Sequence, residues 1–254
     1  MDEEPSTMSH EELPAMSRNQ IITWWASIIG VCLVIAFGSI FVTRAYLIRR
    51  DYEFENWRPP HIARLETDLE AINRDGRKVF LGELRKKIYV AGYQYTDCPA
   101  GCLGMASVMK LLEEEFGEDP RFRLVSISVN PEGDTPEKMD AWVKEHGIDS
   151  EDWWFLTGDP EKIAKYMISE FKFYGTEKVT DPEKIAAIGE FAHDTRLALV
   201  DGEANIRGYY DVMNVQRGEQ EYDRLVRELK MVLDPELKLS DFDLGIPEEG
   251  TSGE

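Results

Sequence analysis

Apolar residues run from Ile21 to Val42 without a single charge, and beyond that segment they recur in short, punctuated bursts. As a helix the 22-residue run would rise roughly 33 Å, the thickness of a bilayer's hydrocarbon core. Trp24 and Trp25 lie near one end and Tyr46 just past the other, as interfacial aromatics do. A buried core helix rarely runs so long without a charge, and a cleaved signal peptide would be shorter and end in a small-residue site, which is not seen after Val42. The pattern therefore predicts a transmembrane anchor over 21–42. A polar, acidic tail expected to be disordered precedes it (1–20), and a linker closed by Pro59-Pro60 follows (43–60).

From 61 to 233 the bursts predict alternating strands and helices. Leu65 to Ile72 and Lys78 to Leu81 flank Asn73-Arg74-Asp75-Gly76, an Asp-Gly turn that predicts a β-hairpin. Ile88 to Tyr95 and Phe122 to Val129 are β-branched and aromatic, as strands are, and Trp153 to Leu156 is a shorter strand. Met105, Val108, Met109, Leu112 and Phe116 share a helical face that Gly117 ends. Thr135-Pro136 and Asp159-Pro160 each open a helix, with the polar residue as N-cap and proline at the first position. These helices run to about Gly147 and Glu170. Leu197 to Asp201 and Ala204 to Tyr210 form a second hairpin, and Tyr222, Leu225, Val226, Leu229 and Val232 mark a closing helix over Arg217 to Leu233. The order is an α/β class with parallel neighbours, a thioredoxin-like sandwich carrying an extra N-terminal hairpin. Seven acids and one lysine after Leu233 predict an acidic, mostly extended tail over 234–254.

Composition narrows the function. Twenty-nine basic against 49 acidic residues give a net charge of −20, which opposes a nucleic-acid-binding surface. Three cysteines are too few for a disulfide-stapled scaffold. Arg44, Arg49, Arg50 and Arg58 follow the apolar span and only Arg18 precedes it, so the positive-inside rule alone places the large domain in the cytoplasm.

Cys98-Pro99-Ala100-Gly101-Cys102 falls where the strand over Ile88 to Tyr95 meets its helix. Cysteines four apart on a helical turn can aim both sulfurs at one spot, and a helix N-terminus favours the thiolate. Such a pair can chelate a soft ion such as Cu(I) or Zn(II), or close a disulfide. Cys32 lies inside the apolar span and reads as a small hydrophobe. Two sulfurs leave room for a third ligand. Of the four histidines, His10 is in the tail, His61 beside the linker and His146 at a helix end, whereas His193 precedes the strand from Leu197. In a thioredoxin-like fold that loop faces the cysteine turn. Met105 and Met109 fit a core stripe better than a pair of thioether ligands, and Trp153-Trp154 reads equally as a docking patch or a core edge.

Three stretches together carry a resemblance: Gly92-Tyr93-x-Tyr95-Thr96-Asp97-Cys98-Pro99-x-x-Cys102; Ser128-Val129-Asn130-Pro131-x-x-Asp134-Thr135-Pro136-Glu137; and Leu156-Thr157-Gly158 followed by His193. Over residues 63 to 233 they resemble the Sco/SenC family of copper chaperones. The resemblance implies copper held by Cys98, Cys102 and His193, with Asp134 either supporting the site or serving only its turn. It implies one membrane span, with the domain in the periplasm or mitochondrial intermembrane space, against the arginine count. It implies assembly of the copper centre of cytochrome c oxidase, so the expected partner is an oxidase subunit or another copper protein. Leu103, Ala192, Asp194 and Asn130 depart from the family pattern, and Asp194 is expected to orient the imidazole in place of the acid missing at Ala192. The alternative function is a thiol-disulfide reductase using Cys98 and Cys102 without retained metal. A copper sensor is a third reading. A peroxidase is weaker, since no threonine and arginine stand at its spacing.

Overall fold

The structure, a computed structural model, describes residues 17–98 and 101–242, without the side chains of residues 51, 55, 101, 102 and 187. The chain divides into two compact units after Glu55. The first is a single helix, α1 (Arg18–Glu55), long and apolar enough to cross a membrane. The tail expected over 1–20 lies, up to residue 16, outside the described residues. The stretch expected as linker is helical as far as Glu55. No Gly or Pro interrupts the chain from Phe41 to Trp57, so nothing stops the helix at the end of the apolar run. Arg49 pairs with Glu53 one turn on at 2.8 Å.

The second unit is built on one eight-stranded sheet. Its strands are β1 (Ala63–Arg64), β2 (Glu70–Asn73), β3 (Lys78–Phe80), β4 (Ile88–Gln94), β5 (Phe122–Ser128), β6 (Trp153–Thr157) and two later strands. Helices α2 (Gly101–Phe116), α3 (Pro136–Glu145) and α4 (Pro160–Ser169) alternate with β4 to β6. After α4 come a two-stranded ribbon, β7 (Glu177–Lys178) and β8 (Phe191–Ala192), and between its strands α5 (Pro182–Ile188). The chain closes with β9 (Leu197–Val200), β10 (Asn205–Tyr210) and α6 (Gly218–Leu233). Spatially the order is β1-β10-β9-β4-β5-β6-β2-β3. The pairs β4–β5 and β5–β6 are parallel, and β9 and β2 flank them antiparallel.

All seven residues of β4 are buried, as a strand covered on both faces requires. On one face Tyr89, Ala91, Tyr93, Val125 and Ile127 meet α4 through Ile163, Tyr166 and Met167. On the other, Val90, Leu124, Trp153 and Phe155 meet Met105, Met109 and Leu112 of α2, Met139 and Val143 of α3, and Leu225 and Leu229 of α6. The predicted caps are present. Thr135 Oγ1 accepts from Lys138 N at 3.3 Å and Asp159 Oδ1 from Lys162 N at 3.0 Å.

Three differences from the sequence reading have physical causes. The first hairpin turns at Gly76 (φ +79°) but begins only at Glu70, and β2 also pairs with β6, so the hairpin extends the sheet. Upstream, Leu65 N donates to Ala204 O at 2.9 Å, beside β1, and Glu66 N to Glu170 Oε2 at 2.7 Å, so that segment does not pair with β3. The strand β1 and the β7–β8 ribbon, two residues each, carry no periodic signal. The segment from Asp234, expected as an extended tail, includes a 3₁₀ turn over Leu239–Asp241, and residues 243–254 lie outside the described residues.

Candidate metal centre

Cys98 follows the buried strand β4 by four residues, and the helix bearing Cys102 opens at Gly101. Pro99, Ala100 and the side chain of Cys102 lie outside the described residues. The half-buried Cys98 packs against the core that contains Tyr93 and Tyr95. Gly92 lets the underlying layer close up, because a Cβ there would stand 3.0 Å from Met105 Sδ and 3.4 Å from Met109 Sδ. Both methionines are fully buried and belong to the core.

The loop between β4 and Cys98 is tied down by Asp134, 1% exposed. Asp134 Oδ1 accepts from Thr96 N at 3.2 Å and from Thr96 Oγ1, while Oδ2 accepts from Ser128 Oγ at 2.6 Å. Asp134 is itself placed by the turn at Asn130. Ser128 Oγ accepts from Asn130 N at 3.0 Å, and the Asn130 carbonyl accepts from Gly133 N at 3.0 Å and Asp134 N at 2.9 Å. The backbone of residue 130 thus builds the turn that delivers Asp134, and Asp134 both closes that turn and holds the cysteine loop. Asp97, beside Cys98, pairs with Lys138 of α3.

His193 follows β8 directly and lies against two tyrosines of the strand and loop that lead to Cys98. Its ring meets Tyr93 edge-on at 5.9 Å between centroids and Tyr95 at 5.8 Å. Tyr95 also packs edge-on against Phe191 at 5.5 Å. Tyr93 and Tyr95 alternate onto one face of the extended chain, so that face positions the imidazole. Burial pushes the Tyr93 phenol up, although the hydrogen bond from Thr176 opposes it, which keeps the ring neutral. His193 Nδ1 stands 2.9 Å from the Asp194 carbonyl. A carbonyl only accepts, so Nδ1 carries the proton and, in the neutral ring, Nε2 carries the lone pair that can bind a metal.

The carboxylate of Asp194 is taken up by other groups. It accepts from Arg196 N at 3.0 Å, Arg196 Nη2 at 2.6 Å and Tyr174 N at 3.0 Å. Burial pushes this carboxyl up, but the Arg196 guanidinium and the two backbone donors outweigh it, and the group sits below the usual carboxylate range. It is the backbone carbonyl of Asp194 that orients the ring. Arg196 stands two residues from Asp194, a spacing the sequence shows, whereas the contact with Tyr174, 20 residues earlier, has no linear signal. The alternation of Tyr93 and Tyr95 was a signal that could have been used.

The other candidates resolve by position. His146 caps α3, with Nδ1 2.7 Å from the Trp142 carbonyl and its ring stacked on Trp142 at 4.3 Å. His61 is exposed before β1, His10 lies outside the described residues, and Cys32 lies on α1. Leu103 is 44% exposed on the first turn of α2. Trp153 is buried with its Nε1 donating to Ser126 Oγ at 2.9 Å, and Trp154 packs on the opposite core, so the pair serves the interior. Among the described residues no three His, Cys, Asp or Glu side chains converge as a complete metal cage.

This sheet, with its helices on both faces and a cysteine at the junction of β4 and α2, defines a thioredoxin-like α/β protein. The SCO1/SenC family profile matches residues 59–230, and the chain belongs to that family. It is 26% identical over 161 residues to the SCO1 protein homolog of Bacillus subtilis, covering 62% of this chain and 77% of the relative. Among solved structures it resembles a SCO1/SenC family lipoprotein from Bacillus anthracis. That match has a TM-score of 0.58 and 24% identity, covering 70% of this chain and all of that one. It also resembles ScoI of Bradyrhizobium japonicum, solved with copper bound. Here the TM-score is 0.51 and identity 23%, covering 64% of this chain and 98% of the other.

Proposed function

We propose that this protein binds one copper ion through Cys98, Cys102 and His193 and assists assembly of the copper centre of cytochrome c oxidase. The observation that carries the reading is the seat of His193. The ring lies against Tyr93 and Tyr95, which lead to Cys98, and its Nδ1 proton is committed to a carbonyl. A neutral imidazole held that way offers Nε2, and two thiolates with one imidazole suit Cu(I). The copper-bound Bradyrhizobium japonicum relative supports copper as the ion. Copper here is cargo, so the site must bind it and also give it up to another copper protein or an oxidase subunit. We further read α1 as a single membrane anchor holding the domain in the periplasm or intermembrane space, the side on which the oxidase receives copper.

The test is a Cu(I) titration of the reduced, detergent-solubilised full chain against a competing chelator, beside Cys98→Ser, Cys102→Ser and His193→Ala. One tight equivalent, weakened sharply in each variant, is the expected result. Binding indifferent to His193, with thiol exchange lost in the cysteine variants, replaces this reading with a membrane-anchored thiol-disulfide reductase.

A further inference from the structure

We infer that Arg196 and Asp194 are positioning residues for His193, setting which imidazole nitrogen faces the copper. The inference rests on the copper reading above and extends it to side chains that touch no metal. Arg196 forks onto both carboxylate oxygens of Asp194: Nε lies 2.9 Å from Oδ1 and Nη2 2.6 Å from Oδ2. The guanidinium is walled by three rings, 5.8 Å from the centroid of Phe173, 4.7 Å from Tyr174 and 4.9 Å from Tyr209. A planar, always-charged fork gripped on its faces and along its edge has little rotational freedom. Asp194 is fixed in turn, since its carboxylate also takes the backbone N–H groups of Tyr174 and Arg196.

One residue therefore joins β10, through Tyr209, to the segment after α4, through Phe173 and Tyr174, and to the loop after β8. With Asp194 held at its side chain, its carbonyl has a fixed direction, and that carbonyl is the acceptor for His193 Nδ1. The nitrogen left to a metal is set by the hydrogen bond of the other nitrogen. The clamp places the carboxylate after the histidine and works through its backbone.

The test reads the tautomer in the metal-free protein. The reduced full chain in detergent micelles is labelled with 15N-histidine. It contains only four histidines, so the ring signals can be assigned by single substitution. Wild-type His193 is expected as the Nδ1–H tautomer, the minor form for a solvated imidazole. Asp194→Asn and Arg196→Lys are expected to move it toward the Nε2–H form and to weaken Cu(I) binding about 10–100-fold. His146, whose Nδ1 faces the Trp142 carbonyl on another element, is the internal control and should not move. If Asp194→Asn also disturbs His146, the milder Arg196→Lys decides. A His193 signal unmoved in the deciding variant, or a moved signal with unchanged affinity, overturns the inference. If His193→Ala itself leaves copper affinity intact while the clamp variants still shift the tautomer, the copper reading fails and the clamp's hold on the ring stands.

Discussion

Asp134→Ala is the substitution that best tests how the cysteine loop is held. The carboxylate is buried and accepts three hydrogen bonds, from Thr96 N, Thr96 Oγ1 and Ser128 Oγ. Bonds to a charged group contribute about 1.5–3 kcal/mol each, and the low end applies because both hydroxyls can turn to other acceptors, which gives about 4–5 kcal/mol in all. For a domain of this size roughly 2–4 °C is lost per kcal/mol, so the melting point should fall by roughly 8–20 °C. Asp134→Asn keeps one acceptor oxygen and should cost about 1.5 kcal/mol. The assay is thermal melting of the full chain in detergent, followed by near-ultraviolet circular dichroism so that the signal reports the packed tryptophans of the domain. Each variant is then titrated with Cu(I) at a temperature where it is folded. Because Thr96 lies two residues from Cys98, both variants should bind copper more weakly than wild type, alanine more so. A loss under about 1 kcal/mol for the alanine variant would refute the account of Asp134 as the tie of the loop, being no more than an ordinary surface change.

Two further outcomes follow from the packing and the charges. Gly92→Ala puts a Cβ 3.0 Å from Met105 Sδ and 3.1 Å from Leu197 Cδ2, directly beneath the cysteine turn. Overpacking there should destabilise by about 1–3 kcal/mol, read from the urea midpoint, and an unchanged midpoint would mean the methionines yield freely. Asp201 is pushed up by burial, but Asn205, the backbone N–H of Glu203 and the guanidinium of Arg207 together hold it below the usual carboxylate range. Its folded pKa therefore lies under the unfolded value of about 3.9, so its stabilisation is complete above that pH and is lost as pH falls through the folded value. Asp201→Asn should be less stable than wild type at pH 7 and lose less stability between about pH 4 and 2; parallel pH profiles would contradict this.

The elements that the sequence made legible are those whose signals are local. The caps at Thr135 and Asp159 rest on a polar residue followed by proline, which any chain reads in the same way. Asp181-Pro182 carries the same signature and opens α5, with Asp181 Oδ1 accepting from Glu183 N at 3.0 Å, so this helix too has a local signal. The β-branched and aromatic residues of β4 announced a strand, and the fold buries it on both faces. The helix runs on to Glu55 through the expected linker because the end of hydrophobicity is not the end of a helix; only a breaker or a cap ends one.

The site divides along the same line. Cys98 and Cys102 at a strand-to-helix junction, and His193 before the last hairpin, are visible as residue types at a spacing, because the order of strands and helices sets which loops share an end of the sheet. Tertiary structure alone decided what Asp194 does. From sequence it is an acid beside a histidine. In the fold its carboxylate goes to Arg196 and Tyr174, and its carbonyl goes to the ring. It also decided that Trp153 belongs to the interior and that Asp134 reaches back to Thr96, 38 residues earlier. Hydrophobic periodicity and caps act within a few residues along the chain and are written into it. The distant donors to a buried carboxylate, Tyr174 N for Asp194 and Thr96 for Asp134, are whichever groups the packing brings within about 3 Å, and those are determined only when separate segments have been folded against one another.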